Sequence, residues 1–140
     1  MHLPHKKYQA HVIAQSKTYT HLFPHPVENA CNAVHDAYLR TGVQILCSMD
    51  KRGAIYAGSE GIYTVQSPVV EQIGSFAGAG DTLLAAFLYA RMLCAAPIAD
   101  ALRFASASAT AKVRLPAGVL PTIKQIYTEW EQTNVRKGGA

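Results

Sequence analysis

"GSFAGAGDTLLAAFLYARML", residues 74–93, sets three glycines and one acid ahead of a nearly unbroken apolar run. A helix apolar on almost every face belongs in an interior, so 83–94 is expected to be buried on several sides. Arg91 and Pro97 interrupt the run well short of a bilayer span. A core has no use for the acid at its head. Gly78 and Gly80 allow positive φ and the close approach of a ligand. The first N–H groups of the helix have no internal partner and carry the positive end of its dipole, which makes the turn a place for phosphate or another anion. Asp81 adds a carboxylate to that turn. Amides that hold the charge of a transferring group, beside a carboxylate that takes a hydroxyl proton, are the parts phosphoryl transfer needs. The plainer alternative is a first-turn acid worth about 1 kcal/mol to the helix, after glycines that only make a turn. The loop is neither a Walker A sequence nor G-x-G-x-x-G.

Outward from this stretch the chain reads as alternating elements. From Val27, apolar residues at 27, 30, 31, 34, 37 and 38 mark an amphipathic helix, with Pro26 in its first turn and Gly42 at its end. "VQILC" (43–47) is a buried strand. "AIYAG" (54–58) and "GIYTV" (61–65) form a hairpin about Gly58–Gly61, with Tyr56 and Tyr63 facing each other. "PVVEQI" (68–73) is expected as a further strand. Pro97 opens an Ala- and Ser-rich helix running to about Lys112, and Pro116–Gly118 is a loop. A last helix carries Ile123, Ile126, Tyr127 and Trp130 on one face as core, with Lys124 and Glu129 solvated. Residues 1–25 read as irregular, with a short strand about Ala10–Ala14, and 133–140 as a frayed tail. The order implies α/β layering, with too few strands to cover so apolar a helix.

Composition narrows the functions. With 140 residues, 49% hydrophobic and 16% charged, the chain makes one modest globular domain. Its net charge of +4 is scattered, with no block that suggests nucleic-acid binding. Cys31, Cys47 and Cys94 are an odd, widely spaced set, expected as buried reduced thiols of a cytoplasmic protein. No apolar signal-peptide core follows Met1. All six histidines fall within the first 35 residues, without a metal-ligand spacing, so no protein-held metal is assigned.

"GAGDTLLAAFLYA" resembles the carboxy-terminal signature of the ribokinase-like (PfkB) carbohydrate kinases, D-T-x-G-A-G-D followed by a small, apolar helix. "VQILCSMDKRGAIYAGSEGIYTVQSPVV" is similar to that family's strand, S-x-G-x-x-G nucleotide turn and hairpin. "ALRFASASATAKV" and "LPTIKQIYTEW" resemble its small-residue and closing helices. The resemblance covers about residues 27–130. It is nearest the 1-phosphofructokinase and tagatose-6-phosphate kinase subgroup, where Ser75 stands in place of the ribokinase Asp.

The resemblance implies the carboxy-terminal portion of a ribokinase-like, Rossmann-like three-layer α/β fold, with its nucleotide-binding half at 26–132. It implies ATP and Mg²⁺ as cofactors and a sugar or sugar-phosphate hydroxyl as acceptor. Asp81 would be the base, and the backbone of Ala77, Gly78, Ala79 and Gly80 the anion hole. Ser48, Asp50 and Gly53 would lie at the ATP phosphates, and Ser106 and Ser108 would line the nucleotide pocket. Neither nucleic acid nor membrane is implied; the protein partner is a second copy or an amino-terminal half. Three departures stand out. Asp50 occupies the place of the middle glycine, and Phe76 that of the usual Thr. The family's amino-terminal half, with its sugar pocket and its N-x-x-E element, has no counterpart before Pro24. A nucleotide-binding chain without catalysis, and a self-associating structural one, are the alternatives.

Overall fold

Pro26 opens the first helix, α1 (Pro26–Thr41), where a missing N–H costs nothing. Gly42 closes it at φ 67°, returning its N–H to the Tyr38 carbonyl at 2.7 Å. The computed structural model describes residues 10–13 and 26–138. Among these, five strands form one sheet in the order β1 (Ala10–Ile13), β2 (Gln44–Ser48), β3 (Ala54–Gly58), β4 (Gly61–Gln66) and β5 (Asn134–Lys137). β1 runs parallel to β2, and the remaining pairs are antiparallel.

Alternation along the strands decides which layer each side chain joins. Ile45, Cys47, Ile55 and Ala57 pack with Cys31 and Val34 of α1. Leu46, Ala54, Tyr56 and Val65 point to the other face, against Leu83, Phe87, Ala101, Leu102 and Ala105. These come from α2 (Ala79–Leu88) and α3 (Ile98–Val113). The result is the expected helix–sheet–helix layering. Tyr56 pairs with Tyr63 in register, ring centroids 6.3 Å apart. Its hydroxyl donates to Gln44 Oε1 at 2.6 Å, and burial, with Glu60 nearby, pushes its pKa up to about 12.

Several expectations are corrected. The 68–73 stretch is not a strand: β5 takes the edge of β4 that such a strand would need, and Val69 is left exposed. The tail expected to fray therefore supplies β5, with Lys137 Nζ 5.9 Å from the Tyr63 ring centre. The helix expected to be buried on several sides shows one buried stripe, Leu83, Phe87 and Ala90. After Leu88 it widens into a π-turn (Tyr89–Leu93), and Tyr89, Met92, Leu93 and Cys94 are exposed. Cys94 is thus no buried thiol, whereas Cys31 and Cys47 are.

The closing helix, α4 (Ile123–Trp130), begins with a reciprocal cap between Thr122 and Gln125. Ile126 is buried against Ala107 and Ala111, but Ile123 and Tyr127 are exposed. Trp130 is half-buried, with the Arg103 guanidinium 4.6 Å from its ring centre. Glu129, expected in solvent, is buried and paired with Arg114, while Lys124 is exposed as read. His2, His5, His21, His25 and most of the segment expected as irregular lie outside the described residues. Among the described residues, no helix is long and apolar enough to cross a membrane.

Candidate active site

The end of α3 and the head of α2 are tied by the loop between them. The N–H groups of Gly74 and Ser75 both donate to the Val113 carbonyl, at 2.8 and 3.2 Å. They satisfy an oxygen that the end of α3 leaves without a helical partner. Gly74 must be glycine here, because a Cβ would overlap the backbone carbonyl of Leu115.

The loop then turns into α2. Ser75 Oγ accepts from the Ala77 N–H at 3.1 Å, and the Ala79 N–H donates to the Phe76 carbonyl at 3.2 Å. Gly78 caps α2 in the left-handed conformation, φ 82° and ψ 1°. Its carbonyl takes both the N–H and the hydroxyl of Thr82, at 2.9 and 2.7 Å. Among the described residues, nothing accepts from the N–H of Gly78, Gly80 or Asp81.

Of Ala77, Gly78, Ala79 and Gly80, only the glycines keep free N–H groups, because both alanine amides are used to shape the turn. The Asp81 N–H, which the sequence reading missed, is the third. The helix rule that the first turn has no internal acceptors was the signal for it. The Asp81 side chain is exposed and makes no ion pair. Carboxylate and amides thus share one turn, open to solvent.

The other expected residues lie at the end of β2. Met49 and Gly53 bond N–H to carbonyl at 2.8 Å around a single 3-10 turn, Asp50–Arg52. Asp50 adopts φ 50°, a left-handed geometry that aspartate tolerates. Gly53, at φ 93°, backs onto the Val65 carbonyl so closely that a Cβ would overlap it. Ser48 is half-buried at the start of this turn.

Ser106 and Ser108 are both buried on α3. The Ser106 hydroxyl shares a 2.7 Å hydrogen bond with Ser67, and Ser108 donates to the Phe104 carbonyl at 2.7 Å. Their hydroxyls are engaged inside the protein. Among the described residues, no hydrogen bond joins the Ser48–Gly53 turn to the Ala77–Asp81 turn. The first turn abuts β4 at Val65, and the loop leading into the second abuts the end of α3 at Val113.

Cys47 is buried, and burial first, with Cys31 second, raises its thiol pKa. Among the described residues, no three His, Cys, Asp or Glu side chains gather as a metal site. The free backbone groups at the α2 head are donors, which suit an anion, and the Asp81 carboxylate beside them is an acceptor.

The model of the pfkB family of carbohydrate kinases matches residues 17–124. No curated protein sequence matches. Among solved structures, phosphofructokinase-2 of Escherichia coli in complex with substrates and products superposes with a TM-score of 0.67 at 21% identity, over 89% of this chain and 40% of that one. A possible 1-phosphofructokinase of Thermotoga maritima gives 0.65 at 20% identity, over 91% of this chain and 41% of its own. The chain spans about two fifths of each, and the likeness is one of fold.

Proposed function

Because the chain belongs to the pfkB carbohydrate kinase family, we propose that it carries the phosphoryl-transfer end of an ATP-dependent sugar kinase, with a hexose phosphate as acceptor. One observation carries the reading: the exposed Asp81 carboxylate stands on a helix turn whose Gly78, Gly80 and Asp81 amides have no acceptor of their own. In this role the amides hold the charge on the terminal phosphoryl oxygens. Asp81 accepts the proton of the attacking hydroxyl. Fixed donors aimed at developing charge are the largest catalytic contribution a backbone makes. Ser75, which holds the Ala77 amide, is the residue on which the hexose-phosphate assignment leans, together with the phosphofructokinase names of the structural relatives.

The Ser48–Gly53 turn would meet the remaining phosphates, with Lys51 and Arg52 beside Asp50 to offset its charge. Ser106 and Ser108 would keep the α3 wall of the nucleotide pocket thin. Mg²⁺, when bound, neutralises phosphate charge and is held chiefly by phosphate oxygens and water. The acceptor's orientation, which contributes most of the effective concentration, would come from an amino-terminal half.

A second reading is favoured by β1, which has β2 as its one neighbour among the described strands. Its open edge suits another segment or a second copy, and the chain by itself would bind nucleotide without transfer.

The test pairs binding with turnover, the amino-terminal half of a family member being supplied in trans. Asp81→Asn should leave the affinity for a non-hydrolysable ATP analogue within about twofold and lower transfer to fructose 6-phosphate by about 10²–10⁴-fold. An Asp81→Asn protein that turns over as the parent does, or a parent chain that binds no nucleotide, would sink the reading.

A further inference from the structure

Lys112 is the penultimate residue of α3, and it is 4% exposed. Among the described residues, its Nζ has no hydrogen-bond partner. Lysine is almost never fully buried unless paired. Its amine carries three donors, and sealing them away from water with no acceptor is unfavourable. Basic side chains on this stretch are not forced inward: Arg114, two residues on, is partly exposed and paired with Glu129. The other ion pair among the described residues, Arg91–Glu60, involves neither Lys112 nor Asp81.

The direction of the side chain supplies the second half of the argument. Lys112 Cε lies 3.7 Å from where a Cβ on Gly78 would stand, so its stem packs beneath the left-handed cap of α2, and Nζ is one bond farther on. The same loop is held one residue away, by the two bonds from Gly74 and Ser75 to Val113. An unpartnered amine and three unpartnered amides therefore meet at one turn from two different helices. What completes such a set is a compact group that brings several acceptors at once.

We propose that Lys112 Nζ is a fourth donor to the terminal phosphate of a nucleoside triphosphate. It approaches from behind the Gly78 turn, while the Gly78, Gly80 and Asp81 amides approach from the helix head. This rests on the reading of that turn as the phosphate site and adds to it a residue from a different helix. The consequence is selectivity. A triphosphate places a phosphate where Lys112 reaches, and a diphosphate leaves the amine unpaired.

The test is calorimetric titration of the 140-residue chain with three probes: a non-hydrolysable ATP analogue, ADP and inorganic phosphate. Lys112→Met keeps the stem and removes the amine, and Lys112→Gln, a second variant, keeps a shorter polar tip. Both should weaken the ATP analogue by about 10–100-fold, the range for hydrogen bonds to charged groups, and leave ADP within about twofold. Without ligand, Lys112→Met should melt at or above the parent temperature, because an unpaired buried amine has gone. A lower melting temperature would assign Nζ to the fold and overturn the proposal. So would equal losses for the analogue and ADP, or no loss for either. If the parent binds inorganic phosphate but neither nucleotide, and Lys112→Met abolishes that binding, the anion site stands and the kinase reading falls. If both nucleotides bind parent and variant alike, Lys112 drops out and the kinase reading stands. A parent that binds none of the three probes overturns both.

Discussion

Two turns of this molecule each hold glycine and aspartate, and they are built to opposite ends. The Met49–Gly53 turn closes on itself. Met49 and Gly53 bond across it, Arg52 donates to Met49 and Gly53 to Asp50, and Gly53 is pressed onto the Val65 carbonyl. The Ser75–Asp81 turn instead satisfies its alanine amides and leaves those of Gly78, Gly80 and Asp81 unspent, above a buried amine. The shared glycine and aspartate do not separate them. What separates them is where each backbone donor finds its acceptor, and a binding turn is one that folding leaves incomplete.

The hardest way to break the comparison is Gly53→Ala. A methyl group there overlaps the Val65 carbonyl, and φ 93° is unfavourable for any side chain. The backbone of β4 would have to move, so about 3 kcal/mol or more of stability should be lost, read as a drop in denaturation midpoint. A loss within about 0.5 kcal/mol would mean that the first turn is not held as tightly as its bonds indicate.

Gly78→Ala is the matched change in the second turn and should cost less. The new Cβ meets Lys112 Cε at an ordinary 3.7 Å, so φ 82° alone opposes it, at about 1–2 kcal/mol. Nucleotide affinity should fall in proportion more than stability, because the strain is relieved by rotating the Gly78 amide out of the site. If stability fell as far as in Gly53→Ala while binding held, the two turns would be alike and the contrast would fail.

The layering and the α2 turn were legible because both rest on local rules. Spacing of 3.6 marks α1, alternation marks β2–β4, and the unpaired amides of any helix head marked the candidate site. The errors arose where a partner decides. "PVVEQI" has the propensity of a strand, but strand preference is mostly packing context, and β5 already holds the edge of β4. "NVRK" has little strand pattern and becomes β5 through backbone pairing alone. Glu129 reads as a surface acid until Arg114 folds over it. Lys112 reads only as the end of an Ala- and Ser-rich helix; that it packs inward, against Gly78, is a tertiary fact. The same holds for Ser106, whose hydroxyl is taken by Ser67 from another element.

The smallest expected effect is at Asp50, and it sharpens the comparison most. This residue sits at φ 50° in the turn that closes on itself, with an exposed carboxylate where phosphate is proposed to lie. Two substitutions divide backbone from charge. Asp50→Gly suits the dihedral angle but loosens the unfolded chain, two opposing terms of about 0.5–1 kcal/mol, so the net change in stability should stay below about 0.5 kcal/mol. Asp50→Asn keeps the left-handed tolerance and removes the charge alone. If the first turn contacts nucleotide phosphates, Asp50→Asn should tighten ATP binding by about two- to fivefold at low ionic strength. The gain should shrink as salt rises, since an exposed charge is screened within about 10 Å at 0.1 M salt. Tightening without salt dependence would assign the effect to shape. No tightening at any salt concentration would remove the Met49–Gly53 turn from the site and leave the α2 head as the phosphate-binding element of the described chain.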